Sequence, residues 1–162
     1  MAHGVCVNTY LAVKTLHVMS AAVLLGAGAG IAYFMLMAHR SRNIEALRMV
    51  TRYVIRADWI FTASAVVTQF VTGLWLMQLR GASFTSSWFV MTLTLFVAVG
   101  ACWIPVVLLQ YRIARLVREA SDYDTLPSQY HHSVRLWVAL GIPAFVMVIV
   151  LFGLMIFKPG FA

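Results

Sequence analysis

The sequence predicts an all-α fold: a four-transmembrane-helix bundle, one integral membrane domain over residues 1–162, with N- and C-termini extracytoplasmic. Three observations predict it. Hydrophobic residues make up 62% of the 162-residue chain and charged residues 10%, against about 25% charged in soluble domains, so the polar surface is too small to face water all round. Four apolar stretches each reach the roughly 20 residues that a helix needs to cross a hydrocarbon core of about 30 Å. None alternates strictly as a strand would, and only helices or closed barrels satisfy their backbone in lipid. Nine of the twelve Lys and Arg residues fall in two of the three connections, which the positive-inside bias assigns to the cytoplasm.

The first span runs from Val18 to Ala38, with Asn8 to His17 as its outer extension. No Lys or Arg precedes Lys14, so the basic n-region of a signal peptide is missing and this segment reads as a retained helix. The connection from His39 to Asp58 holds Arg40, Arg42, Arg48, Arg52 and Arg56 against Glu45 alone. Within it NIEALRMVTRYVIR (43–56) is helical in pattern, so the second helix starts in the cytoplasm and runs into the membrane. Arg48, Arg52 and Arg56 share a face there, suited to anionic lipid heads. The second span is Trp59 to Leu79, the third Ser87 to Tyr111 and the fourth Leu136 to Phe157. Between the last two, REASDYDTLPSQYHH (118–132) reads as a polar, non-helical connector, with His131 and His132 solvated. Pro105 and Pro143 are expected to kink their helices. Trp75 and Trp88 fall near the outer interface, Trp59 and Trp137 near the inner one, as an aromatic belt.

The formal charge of +7 raises the question of nucleic acid. The basic residues lie between apolar runs and form no basic face on a soluble module, so nucleic acid is not an expected partner. Cys6 and Cys102 make no CxxC or Cys/His zinc spacing, and a disulfide framework is not expected. Met35-x-Met37-x-His39 has soft-metal character, but helical geometry points the three groups apart. There is no nucleophile–base pair, paired carboxylates or HExxH. GAGAG (26–30) lies inside an apolar helix, not after a strand, so it is no dinucleotide fingerprint.

Polar groups inside the bilayer are costly and each needs an explanation. On the second span Asp58, Thr62, Gln69 and Thr72 fall within about 60° of one another on the helical wheel. This intramembrane stripe faces the bundle interior, as interhelical hydrogen bonding or as a proton or solute path, with Asp58 paired to a nearby Arg. On the third span Thr92, Val99, Trp103 and Gln110 share a side; Trp103 fills the core or packs against a ring-shaped ligand. On the first, His17, Ala21, Leu24, Gly28 and Met35 lie near one line. Ala22, Gly26 and Gly30 form a small-residue ridge on the opposite side that lets another backbone approach.

His17 is the one histidine within the four apolar runs. Lys14, three residues earlier, snorkels to the outer interface. A histidine beside small residues is a haem or metal ligand in kind, and equally a hydrogen-bonded helix contact. A second axial ligand would come from His3, Met19, Met77, Met91 or Met155, or the haem would be five-coordinate. Lys14, Arg80 and Lys158 gather at the outer end, where they would meet propionates. A membrane thickness separates His17 from Asp58, so the two do not share one centre.

The order KTLHV (14–18), RADWIFTASAVVTQFVTGLWL (56–76), RLWVALGIPAFVMVIVLFGLMIFKP (135–159) resembles an uncharacterised family of predicted bacterial integral membrane proteins over nearly the whole chain. More distantly, Lys14-x-x-His17 ahead of a glycine-containing apolar helix resembles the opening of HemJ-type protoporphyrinogen oxidases, and CopD-type membrane proteins open similarly. The HemJ-type resemblance implies haem b on the histidine matching His17. Those enzymes also use a third-helix lysine. The matching stretch here, SSWFVMTLTLF (86–96), carries Met91 and Thr92 in that neighbourhood, a departure that bears on the oxidase activity and leaves haem binding open.

The expectation is therefore a bacterial inner-membrane protein binding haem b for redox or haem metabolism. His17 is the metal ligand, and Lys14, Gly28, Arg80 and Lys158 complete the cofactor site. A quinone or porphyrin is the small-molecule partner this implies. The competing expectation is a non-enzymatic accessory subunit of a larger membrane complex, or a homo-oligomer, packed through the Ala22/Gly26/Gly30 ridge.

Overall fold

The computed structural model describes residues 2–157, with side chains from residue 7 onward. His3 and Lys158, named above as a haem ligand and a propionate partner, therefore lie outside the described side chains. The elements are α1 (Ala2–Arg40), α2 (Ile44–Ala57), a π-helical segment (Asp58–Ala63), α3 (Ser64–Leu79), α4 (Ser87–Glu119), a short 3₁₀ turn (Tyr123–Thr125) and α5 (Ser128–Phe157). No strand occurs among the described residues. The π segment joins α2 to α3 without a break, so the helix that starts before the second span runs into it as the sequence pattern indicates.

Four stretches are long and apolar enough to cross a membrane: Val7–Arg40, Ile44–Leu79, Ser87–Glu119 and Ser128–Phe157, of 34, 36, 33 and 30 residues. At 1.5 Å per residue each is about 45–54 Å long, well beyond a hydrocarbon core of about 30 Å. In three of the four the excess gathers at the end that carries the Arg residues, as all of α2, the tail of α4 and the first turns of α5; α1 extends instead at its N-terminal end, before Val18. The polar connector of the sequence reading is correspondingly shorter, because Tyr130, His131 and His132 already belong to α5. α4 and α5 continue through Pro105 and Pro143.

The hydrophobic core sits at this Arg-rich end. Ile31, Met35 and Ala38 of α1, Ile44, Leu47 and Val54 of α2, Ile113 and Val117 of α4, and Tyr130, Val134 and Trp137 of α5 form one buried cluster, closed by Ala120, Tyr123 and Leu126. The pairing of α2 with α4 follows from their patterns. Ile44, Leu47, Thr51 and Val54 are the buried positions of α2; Val107, Gln110, Ile113 and Val117 are those of α4. Both sets recur every three or four residues, one stripe per helix. Towards the opposite end α1 packs on α3 and α4 on α5, and the two pairs are joined chiefly where α2 meets α4 and α1 meets α5.

Local chemistry fixes the ends. Asn43 caps α2 by accepting from the Ala46 N–H at 3.0 Å. Arg48 departs from the lipid-anchoring role expected of it: its guanidinium donates to the carbonyls of Val117 and Ala120 and to Glu45. The last carbonyls of a helix have no intrahelical donor, and Arg48 lies beside those of α4. Arg52 and Arg56 remain exposed. Trp137 is a second correction: it is buried in the core and takes no place in an interfacial belt, whereas Trp59 is exposed and donates to the Tyr111 hydroxyl at 2.9 Å. Arg42, in the turn between α1 and α2, has φ 52°. That conformation costs a non-glycine residue roughly 1–2 kcal/mol.

Leu47 and Ile113 are fully buried, whereas Val97, on the same helix as Ile113, is 62% exposed. Ile113→Ala is expected to cost about 2–5 kcal/mol and Val97→Ala under about 0.5, read from unfolding midpoints in detergent. Gln110 is 1% exposed, and neither its amide nitrogen nor its oxygen has a partner among the described residues. Removing such a group relieves a desolvation cost, so Gln110→Leu is expected to leave the midpoint unchanged or raise it. A fall as large as that of Ile113→Ala would contradict this account of the core.

Candidate functional site

The site is built where α1 and α3 cross, towards the end opposite the Arg residues. α1 turns His17 and Ser20 inward; α3 presents Gln69, Thr72 and Gly73 on the facing stripe. His17 Nδ1 lies 2.8 Å from Thr72 Oγ1. The Thr72 hydroxyl has one hydrogen, and it donates this to the Thr68 carbonyl. Thr72 Oγ1 is thus the acceptor and His17 Nδ1–H the donor, an assignment made from the network. The neutral ring then carries its free lone pair on Nε2.

The backbone beneath the ring is held as well. The Gln69 side-chain amide donates to the His17 carbonyl and, at 2.8 Å, to Ser20 Oγ. Ser20 Oγ donates in turn to the His17 carbonyl at 3.0 Å. On the other side, a Cβ placed on Gly73 would stand 3.5 Å from His17 Cε1, so the ring rests almost on the α3 backbone. Ser20 and Gly73 escape a sequence reading based on the histidine itself. Their signal is positional: Ser20 lies one turn from His17 and Gly73 beside Thr72.

The other residues predicted for the site distribute unevenly. Gly28 lies on the His17 face, three turns further in, half-buried and with nothing within 4 Å of where a Cβ would be. Arg80 places its guanidinium 5.9 Å from the centre of the Tyr10 ring. Tyr10 is one turn from Lys14 and two from His17, so both cations stand on the side of the histidine away from the Arg-rich end. Lys14 itself is exposed, beside a shallow groove with Leu11, Thr15, Val18 and Met19. Met77 is buried one turn beyond Gly73, while Met19 and Met91 are exposed. Among the described residues no three His, Cys, Asp or Glu side chains gather to hold a metal ion. Ala22 and Gly26 are exposed and Gly30 half-buried, with open space at both glycines, so the small-residue ridge is not used within the chain.

The remainder of the polar stripe belongs to a different place. Asp58 and Thr62 are buried in the π segment. Fourteen residues of helix, roughly 20 Å, separate Asp58 from Thr72, less than the full membrane thickness expected but enough to keep two centres apart. Asp58 makes no ion pair with Arg. Among the described residues its partner is Trp103, whose Nε1 lies 3.4 Å from Oδ1, and Oδ2 has none. The Arg side chains of α2 either cap α4 or point to the outside, on faces away from Asp58; the inward face meets α4, where Trp103 stands. Thr62 Oγ1 and Thr92 Oγ1 are likewise buried without a partner among the described residues.

A family model described as "Predicted integral membrane protein (DUF2269)" matches residues 11–159, and the chain belongs to that family. It is an integral membrane protein, and the match covers three of its four apolar helices in full and the first from residue 11 onward. No curated protein and no solved structure matches it.

Thr72→Val keeps the shape of the side chain and removes the acceptor for His17 Nδ1–H. The expected cost is about 1–2 kcal/mol, together with loss of the single ring tautomer in histidine nitrogen NMR. Gly73→Ala is expected to be tolerated, because 3.5 Å is ordinary contact. Gly73→Leu is expected to displace the ring and lower the unfolding midpoint.

Proposed function

We propose that this chain is a multi-pass protein of the bacterial inner membrane, Arg-rich end in the cytoplasm and both termini outside, that binds haem b through His17 for redox or haem metabolism. The observation that carries this reading is the state of the His17 ring. A histidine that ligates a metal gives its second N–H to a fixed acceptor, which sets the tautomer and raises the basicity of the ligating nitrogen. Thr72 is such an acceptor, and Nε2 is left free on a half-buried residue.

The surrounding residues support this reading. Gly73 lets the ring lie close to α3, Gly28 leaves room along the same face of α1, and Arg80 and Lys14 stand on the outer side to meet propionates. Met77 is the buried thioether on the α3 face of the ring. Haem, when bound, supplies one-electron chemistry at its iron. The chain's own part is to hold the imidazole in one tautomer, fix its backbone through Gln69 and Ser20, and keep the ring away from water. The resemblance of Lys14-x-x-His17 to the HemJ-type opening supports the same reading.

A second reading has its own support. Ala22 and Gly26 present an open, small-residue face at lipid depth, the surface that lets helices approach closely in membranes. It fits an accessory subunit that packs against a membrane partner or a second copy of itself.

The two readings divide on one measurement, the optical spectrum of the purified protein supplemented with haem, oxidised and then dithionite-reduced. A Soret band that shifts on reduction is expected, and His17→Ala should abolish it. Thr72→Val should keep the band but raise the reduction potential, because the imidazole becomes a weaker electron donor. With no Soret band in the supplemented wild-type protein the haem reading fails. A single defined partner, lost in Gly26→Leu, would then favour the accessory subunit.

A further inference from the structure

At the Arg-rich end three segments far apart in sequence line an open cleft of about 540 Å³, formed by His39, Arg40, Arg42, Tyr123, Asp124 and His131. His39 and Arg40 close α1, Arg42 forms the turn after it, Tyr123 and Asp124 come from the 3₁₀ turn, and His131 from the first turn of α5. Three of these residues, His39, Tyr123 and His131, pack with Tyr130 as a cluster of four rings. Tyr130 lies 5.6 Å from His39 and 5.1 Å from His131, and Tyr123 lies 6.2–6.4 Å from the other three. The sequence reading made His131 a solvated residue; it is half-buried in this cluster, and His132 is the exposed one.

We propose that this cleft binds a phosphate-bearing anion through Arg40, Arg42 and His39. Four features point to it. Arg40, Arg42 and two histidines face one carboxylate, Asp124, which is already engaged by Arg42 at 3.0 Å, so the lining carries net positive charge. The volume lies within the range of small-ligand sites, roughly 300–1,000 Å³. Tyr130 is fully buried and its hydroxyl lies 2.9 Å from His39 Nδ1. With the phenol as donor, His39 keeps its hydrogen on Nε2, a second kind of donor on a residue that lines the cleft.

The fourth feature is the backbone of Arg42. At φ 52° glycine is the ordinary occupant, yet the position carries an arginine. Its guanidinium is held over the Tyr123 ring, 5.1 Å from the centre, and against Asp124. The side chain is 70% exposed, so the guanidinium is oriented by these two contacts and still open to a ligand, at a backbone position of the kind that clusters at ligand-binding sites. Planar guanidinium groups suit phosphate oxygens, which they meet two at a time. A cation is the wrong ligand here, because Arg40 and Arg42 repel it and no metal-ligand group occurs among the described residues. The phosphate belongs either to an anionic lipid headgroup, since the cleft opens where α1 leaves the membrane, or to a soluble phosphate compound.

The test uses the full chain in nanodiscs of neutral phosphatidylcholine at fixed ionic strength. In one arm inorganic phosphate is titrated, with sulfate-free chloride as control; in the other, phosphatidylglycerol replaces part of the lipid. The readouts are the thermal midpoint and the ring NMR signals of His39 and His131. A saturable response to phosphate identifies a soluble ligand, and a response confined to phosphatidylglycerol identifies a headgroup; either supports the proposal. Arg40→Gln and Arg42→Gly are each expected to weaken the response about tenfold, the loss of one charged hydrogen-bonding group. Arg42→Gly should also leave the ligand-free midpoint unchanged or higher, because glycine accepts the positive φ and the exposed ion pair contributes little. The proposal is overturned if neither anion moves the signals, or if the Arg40→Gln/Arg42→Gly double variant responds as the wild type does.

Discussion

Apolar side chains hold helices together only where water is the alternative. Inside a bilayer the lipid tails are as apolar as leucine, and helix association rests on close packing and hydrogen bonds. This constraint explains why the chain is organised as two unlike ends. Its helices of 30–36 residues outrun the hydrocarbon, and in three of the four the excess is placed at the Arg-rich end. There Leu47, Ile113 and Val117 have water to escape from, and there they form the core. At lipid depth α1 and α3 are joined differently, by His17 with Thr72 and by Gln69 with Ser20 and the His17 carbonyl. The polar residues of the site are thus also the fastening of the first helix pair, and a function built on His17 inherits a rigid mounting.

The same constraint decides what a sequence can reveal here. Length and apolar character set the four helices, because each helix satisfies its own backbone. Wheel positions gave the inward faces, since His17, Gly28 and Met35, or Asp58, Thr62, Gln69 and Thr72, need only the 3.6-residue repeat to be aligned. Periodicity does not say which helix lies opposite. Asp58 was expected to meet an arginine because arginines are its sequence neighbours; its actual neighbour, Trp103, comes from α4. Arg48 was grouped with Arg52 and Arg56 by spacing, but the free carbonyls of α4 single it out. Trp137 looked interfacial by its depth along the chain and is core by its rotation. The four-ring cluster of His39, Tyr123, Tyr130 and His131 draws on three segments and has no local signature. Nor has the π turn at Asp58–Ala63.

The polar stripe along α2 and α3 changes character with depth. It carries Thr51 and Asp58 at the Arg-rich end, then Thr62, and only neutral groups, Gln69 and Thr72, further in. A carboxylate without a contact ion pair is most expensive at the bilayer centre and cheaper near its edge. It is cheaper still where the surrounding field is positive, and nine of the twelve basic residues lie on the side of Asp58. Those arginines are not contact partners of Asp58: their guanidinium groups go to the α4 carbonyls, to Asp124 and to the outside. Gln69 and Thr72, further along, donate to the carbonyls of His17 and Thr68, whereas Thr62, beside Asp58, has no partner among the described residues. The stripe thus places its carboxylate nearest the Arg-rich end and its satisfied neutral groups further from it.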